Sequence, residues 1–175
     1  GELLPATVVS AGISFRTGPQ GPGEKNVLVA RGQKLALPAG DFDRVYLVAA
    51  AIGGDRAAPF AVDGKAATLV VPDWAEPVGQ WNSRMVGGVR VDDAERIAPA
   101  YAKETPVAWV GSHRHGARGE NEAYALAHLF RLRLDVPKGA RELALPSDGR
   151  LRILAVAAAR LRAANARAPS ASRIS

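Results

Sequence analysis

Apolar and polar residues alternate along much of this chain, most plainly from Tyr124 to Val136. The even positions there are Tyr124, Leu126, His128, Phe130, Leu132, Leu134 and Val136, and the odd positions include Arg131, Arg133 and Asp135. A period of two places these sets on opposite faces of a strand, whereas a helix would scatter them around its circumference. The pattern predicts one long strand with an apolar face. Further strands are predicted at Thr7 to Phe15, Asn26 to Ala30, Lys34 to Leu37, Arg44 to Ile52, Pro59 to Val62, Ala67 to Val71, Thr105 to His113, Glu142 to Leu145 and Arg150 to Val156. These are β-branched or alternating runs bounded by turn residues. Asp63-Gly64 joins two of them as a tight hairpin turn, and Ser147-Asp148-Gly149 turns the last pair. Short strands at this spacing give an all-β fold, an antiparallel β-sandwich of jelly-roll type.

Helical signal is confined to two places. Ala157 to Ala166 has high helix propensity, and Asp92 to Ala102 suits a short turn before Pro106. The reading is one sandwich domain over residues 1–160, ending in a short helix or a flexible basic tail over residues 161–175. With 175 residues, one domain with a real core is the natural size.

The net charge of +6 suggests nucleic acid at first sight. Four of those charges are Arg160, Arg162, Arg167 and Arg173, in a stretch without acids, so the remaining body is near +2 with both signs mixed. Nucleic-acid binders cluster basic residues on one face and interleave aromatics. That pattern is missing, so no nucleic-acid partner is expected. No apolar run approaches the ~20 residues of a membrane span, and Gly1 to Pro5 carries no signal-peptide pattern. With no cysteine, disulfides, thiolate nucleophiles and Cys-based zinc sites are excluded.

The densest polar stretch is Ser112 to Tyr124, read as a loop between two strands, where binding groups are commonly carried. His113 and His115, two apart, face the same way on an extended chain, roughly 6.5–7 Å apart. With Glu120 or Glu122 they could form a two-His, one-carboxylate metal triad, and the spacing partly matches a cupin motif. Arg114 and Arg118 oppose a cation there, and His128 is the only other histidine. No metal or other cofactor is expected. The same stretch also suits sugar, which is bound by aromatic faces and planar hydrogen-bonding side chains. Candidates are His113, Arg114, His115, Asn121, Glu122 and Tyr124, joined by Trp74, Trp81, Asn82 and Arg84 from a second segment. Trp74 and Trp81 would equally serve as core plugs. No catalytic residue is assigned. Ser112 and His113 are adjacent and would point apart on a strand, and neither a nucleophile elbow nor a phosphate-binding loop is present.

Several segments in order resemble the C-terminal β domain of bacterial α-mannosidases of glycoside hydrolase family 38. They are Gly12-Ile13-Ser14-Phe15, Arg31-Gly32-Gln33, Leu37-Pro38-Ala39-Gly40, Arg44 to Ala51 and Asp73-Trp74 through Gly79-Gln80-Trp81-Asn82-Ser83-Arg84. The closest match is Ala108-Trp109-Val110-Gly111-Ser112-His113-Arg114-His115, followed by Asn121-Glu122-Ala123-Tyr124 and Leu129-Phe130. Val136 to Ala140 and Leu143 to Pro146 complete it. The resemblance implies a non-catalytic accessory domain. Its catalytic carboxylate and zinc ligands would lie in a preceding catalytic domain of the same parent chain. The implied partners are that domain and a carbohydrate, and the implied location is secreted or periplasmic. The alternatives are a cupin-like metal enzyme and a protein-interaction sandwich without a sugar role.

Overall fold

The computed structural model describes residues 4–21, 23–81, 84–86, 89–91, 99–116 and 118–160; residues 80, 81, 84–86, 89–91, 99–102, 123 and 124 are described by their backbone alone. The described elements are all strands. They are β1 (Thr7–Ser10), β2 (Ile13–Arg16), β3 (Leu28–Val29), β4 (Lys34–Ala36), β5 (Arg44–Ala51), β6 (Arg56–Val62), β7 (Lys65–Val71), β8 (Gly79–Trp81), β9 (Arg84–Val86), β10 (Val89–Val91), β11 (Pro99–Ala102), β12 (Val107–His115), β13 (Asn121–Asp135), β14 (Glu142–Ala144) and β15 (Leu151–Ala159).

Two sheets make the sandwich. One has the order β12-β13-β5-β15-β3 and the other β4-β14-β6-β7, with every strand pair antiparallel. Alternation sorts the side chains of β5. Val45, Leu47, Ala49 and Ala51 enter the main core between the sheets, with Phe60, Val62, Leu132, Leu134, Leu143, Leu151 and Ile153. Val48 and Ala50 enter a second core on the opposite face, where Val8 and Phe15 of the β1–β2 hairpin cover the sheet. β5 is therefore buried on both faces, which is why it reads as a nearly continuous apolar run rather than an alternating one. Full burial of a side chain such as Phe60 or Leu47 contributes about 1.5–3 kcal/mol.

Most predicted strands are present with ends shifted by a few residues. Three readings change. Thr7 to Phe15 is a hairpin rather than one strand, turning at Ala11 (φ 48°) and Gly12 (φ 76°). Ala157 to Ala159 closes β15 in register with Tyr46 to Arg44, so the helix predicted from Ala157 does not begin there; pairing with β5 outweighs the helix propensity of alanine. Pro99–Ala102 pairs with β8 as a strand where a turn was expected. The Asp63-Gly64 turn is as predicted, with φ of 46° and 83°, the positive values a type I′ hairpin requires. Residues 92–98 and 161–175 lie outside the described residues, and with them the rest of both helical readings.

Candidate functional site

The stretch read as a loop is instead the end of a hairpin. β12 continues to His115 and β13 begins at Asn121, so the turn is only residues 116–120. It is closed by the Gly116 N–H donating to the Glu120 carbonyl (2.8 Å) and the Gly119 N–H donating to the Gly116 carbonyl (2.9 Å). Gly119 sits at a φ of 81°, in the left-handed region that glycine enters without strain. β13 pairs with β5 only from Phe130 onward, whereas β12 accompanies it up to Asn121. The hairpin therefore runs past β5 as a two-stranded arm.

Register divides the candidate residues. His113 pairs with Ala123, Arg114 with Glu122 and His115 with Asn121. Directly opposed residues share a face, so His113, His115 and Asn121 lie on one side of the arm and Arg114 and Glu122 on the other. The His113 and His115 rings meet edge to face with centroids 5.2 Å apart. Ser112 Oγ lies 3.1 Å from His113 Nδ1.

Arg114 stands one pair from the arm's tip, and its side chain reaches back along the arm. Its Nε donates to the Ala125 carbonyl (3.3 Å), and its guanidinium lies over the Trp74 ring, 5.5 Å from the centroid. Trp74 itself is half-buried against the second core. It thus joins arm to core, and Arg114 lies over its ring, where a sugar platform would need a clear face. Trp109 packs in the same core, and its ring lies over Gly111: a Cβ added there would come within 2.9 Å of the Trp109 ring.

The segment carrying Trp74 sits where β13 parts from β5. The Trp74 N–H donates to the Ala51 carbonyl (3.0 Å), and the His128 N–H donates to the Trp74 carbonyl (2.8 Å). Asp73, buried, fixes the turn. Its Oδ1 accepts from the N–H groups of Ala75 (2.7 Å) and Glu76 (3.1 Å), and its Oδ2 from that of Gly54 (2.9 Å). The Asp73 N–H in turn donates to Asp55 Oδ1 (2.7 Å). Below it, the Lys103 side chain is 1% exposed and donates to Asp55 and to Glu76 Oε2 (2.9 Å). His128 is buried nearby, its Nδ1 without a partner among the described residues. Burial pushes its pKa below the ordinary histidine value; a hydrogen bond with the Trp74 backbone opposes this, and the Lys103 charge adds to it.

The sequence reading missed this buried polar cluster. Its members are separated by up to 48 positions in the pair Asp55–Lys103, so no local spacing announces it. Of the other candidates, Trp81, Arg84 and Tyr124 fall where only the backbone is described, and Asn82 lies outside the described residues. The two-His, one-carboxylate triad is not assembled. Glu120 turns back to accept from the Arg118 N–H (3.0 Å), and Glu122 pairs with Arg114 on the other face from the histidines. Among the described residues, no group of three His, Cys, Asp or Glu is placed to hold a metal ion. No helix among them is long and apolar enough to cross a membrane.

A family model described as AziU2-like beta-sandwich domain matches residues 1–162. No curated protein matches the chain.

Proposed function

We propose that this chain, which belongs to the AziU2-like β-sandwich domain family, is a non-catalytic accessory domain that binds carbohydrate with the end of its β12–β13 arm. The observation that carries this is the collection of His113, His115 and Asn121 on one side of a hairpin that has run past the sandwich. Planar donors and acceptors on a rigid two-stranded support suit the ring hydroxyls of a sugar. Trp74 and Arg114 act behind them, setting the arm's direction from the core. The resemblance to the C-terminal β domain of family 38 α-mannosidases supports the same ligand class and a glycosidase-type catalytic domain as neighbour.

A glycan array followed by calorimetric titration of the best-bound glycan tests the reading. His113→Ala and Asn121→Ala should each weaken binding by about tenfold, equal to about 1.4 kcal/mol of lost hydrogen bonding. A folded protein that binds no glycan, or variants that bind as well as wild type, would sink it. One observation favours a second reading. Val110 (44% exposed) and Leu126 (43% exposed) place apolar side chains on the arm itself, which suits a protein surface, and a glycan-blind arm would point to docking on the catalytic domain instead.

A further inference from the structure

The β1–β2 hairpin covers only part of the sheet face that bears the second core. Its Val8 and Phe15 close over Val48 and Ala50. The hairpin then ends at the Ala11-Gly12 turn. Beyond Val48 on that face comes Tyr46 of β5, paired with Arg133 of β13 on one side and Ala157 of β15 on the other. Directly opposed residues share a face, and so do residues two apart on a strand, so Ala159 lies on the same surface. β15 therefore sets only methyl groups beside the Tyr46 ring. A hollow of about 580 Å³ remains, lined by residues 11–14, Tyr46 and residues 157–160. Small-molecule sites commonly span about 300–1,000 Å³.

The hollow combines an apolar surface with exposed polar groups. Tyr46 is half-buried. Arg131 lies over its ring from β13, 5.9 Å from the centroid, and donates to Ser10 Oγ (3.4 Å). No β13 residue lines this hollow, so the ring borders it from the β15 side, where Ile13 and Ala157 extend the apolar surface. The polar groups come from the hairpin and from the end of β15. The Thr17 N–H donates to the Ala6 carbonyl (3.0 Å). Bonded and unbonded pairs alternate along an antiparallel hairpin, so the Val9–Ser14 pair is unbonded. Ser14 therefore turns its N–H and C=O away from β1, and neither has a partner among the described residues. Arg160, exposed at the other end, donates to Asp41 (2.6 Å).

The charges around Tyr46 balance. Arg44 lies between Asp43 (3.7 Å) and Asp135 (2.9 Å), and Arg133 also reaches Asp135 (3.4 Å). Arg160 is matched by Asp41. Arg131 and Glu104 together line the neighbouring hollow on the other side of Tyr46. No excess of either sign selects an ion. An aromatic ring beside methyl groups, with peptide groups and a planar ion pair at hand, suits a molecule with one face of C–H bonds and an edge of hydroxyls. We infer that the hollow beside Tyr46 is a second carbohydrate subsite, which takes one neutral pyranose ring against Tyr46, Ala157 and Ala159 and bonds its hydroxyls to the Ser14 backbone and to Arg160 and Asp41. The ligand class rests on the proposed function; the site is separate from the arm.

The probes are the methyl glycosides of glucose, mannose and galactose, with glucuronate and glucosamine as charged controls. In NMR titration of the full chain, at least one neutral glycoside should shift the amides of Gly12, Ser14, Ala157 and Ala159 with a Kd of about 1 mM. The charged sugars should bind no more tightly. Tyr46→Leu keeps an apolar side chain on the sheet but removes the ring, and Ala159→Leu keeps the ring but fills the hollow. Each should weaken binding about tenfold, with a melting temperature near wild type; if Tyr46→Leu fails to fold, Ala159→Leu decides. His113→Ala should leave these shifts unchanged. Shifts at the arm with none at these four amides would overturn the inference and leave the proposed function standing. Binding that survives Ala159→Leu at full strength would overturn it as well. Tighter binding of either charged sugar would overturn it in favour of an ion site. Binding that appears only on deleting residues 161–175 would make the chain its own occupant and would overturn it too.

Discussion

Replacing Asp73 with alanine tests how the root of the arm is built. The carboxylate of Asp73 accepts three backbone N–H groups, from Gly54, Ala75 and Glu76, at 2.7–3.1 Å. Hydrogen bonds to an ionised group are worth about 1.5–3 kcal/mol each in a buried setting. Ala75 is half-buried and Glu76 exposed, so water can replace part of what is lost, and about 1 kcal/mol each is the better figure, or about 3 kcal/mol in total. For a chain of this length that lowers the melting temperature by about 6–12 °C. Asp73→Asn keeps one acceptor oxygen for Ala75 and Glu76 but presents an NH2 to the Gly54 N–H, and should cost about 1–2 kcal/mol. Urea unfolding with linear extrapolation gives the free energies, and hydrogen exchange at Gly54, Ala75 and Glu76 locates the change. An alanine variant within 1 kcal/mol of wild type, with those three amides still protected, would refute the account of Asp73 as the organiser of this turn.

Phe60→Ala, at 0% exposure between the two sheets, should destabilise by about 3–5 kcal/mol in the same urea assay. Gly111→Val forces the Trp109 ring off its seat and should cost about 1–3 kcal/mol, with a change in tryptophan fluorescence, while Gly111→Ala should cost less. His128 has a folded-state pKa below its unfolded value, so the unfolded chain takes up a proton first on acidification. The stability is full above the ordinary histidine value of about 6.5 and declines as pH falls below it towards the folded value. Melting curves between pH 8 and pH 5 should show this decline, and His128→Leu should remove the part of it due to this residue. Asp148, whose carboxyl is held low by the Arg150 N–H and by Arg56, acts in the opposite type of group: its contribution is present above the usual aspartate range and is lost as pH falls through its lowered pKa. Arg56→Ala should raise that pKa, measured by NMR titration of the Asp148 carboxyl.

The sandwich was legible because alternation encodes which face of a strand is buried. Leu132, Leu134 and Val136 meet the main core as their even spacing requires. The same alternation misleads N-terminal to Phe130. Leu126 is exposed and the adjacent Leu129 and Phe130 are both buried, because β13 leaves β5 there and its register with β12 shifts twice. A bulge exchanges faces without altering residue types, so periodicity cannot report it. The common orientation of His113 and His115 followed from spacing alone. The arm did not, since Ser112 to Tyr124 reads as a loop for its polar residues, whereas both strands run on through most of it and Gly111 makes room for the Trp109 ring. The hairpin at Ala11-Gly12 was hidden because alanine is an unusual residue at positive φ. The ion pairs of Lys103 with Asp55 and Glu76 join segments distant in the chain, and only tertiary structure brings them together.

β5 has a consequence for how this protein is made. Its two partners in the sheet, β13 and β15, lie far downstream; the Arg44–Asp135 pair alone spans 91 residues. During synthesis at about 5–20 residues per second, a strand reading Val45-Tyr46-Leu47-Val48-Ala49-Ala50-Ala51 waits on the order of ten seconds with both edges open. Asp41, Asp43 and Arg44 at one end and the Gly53-Gly54-Asp55-Arg56 turn at the other are its nearby gatekeepers against pairing with other nascent chains. The yield of folded protein should therefore depend on translation rate and on chaperones that shield this segment, more than on the stability of the finished sandwich.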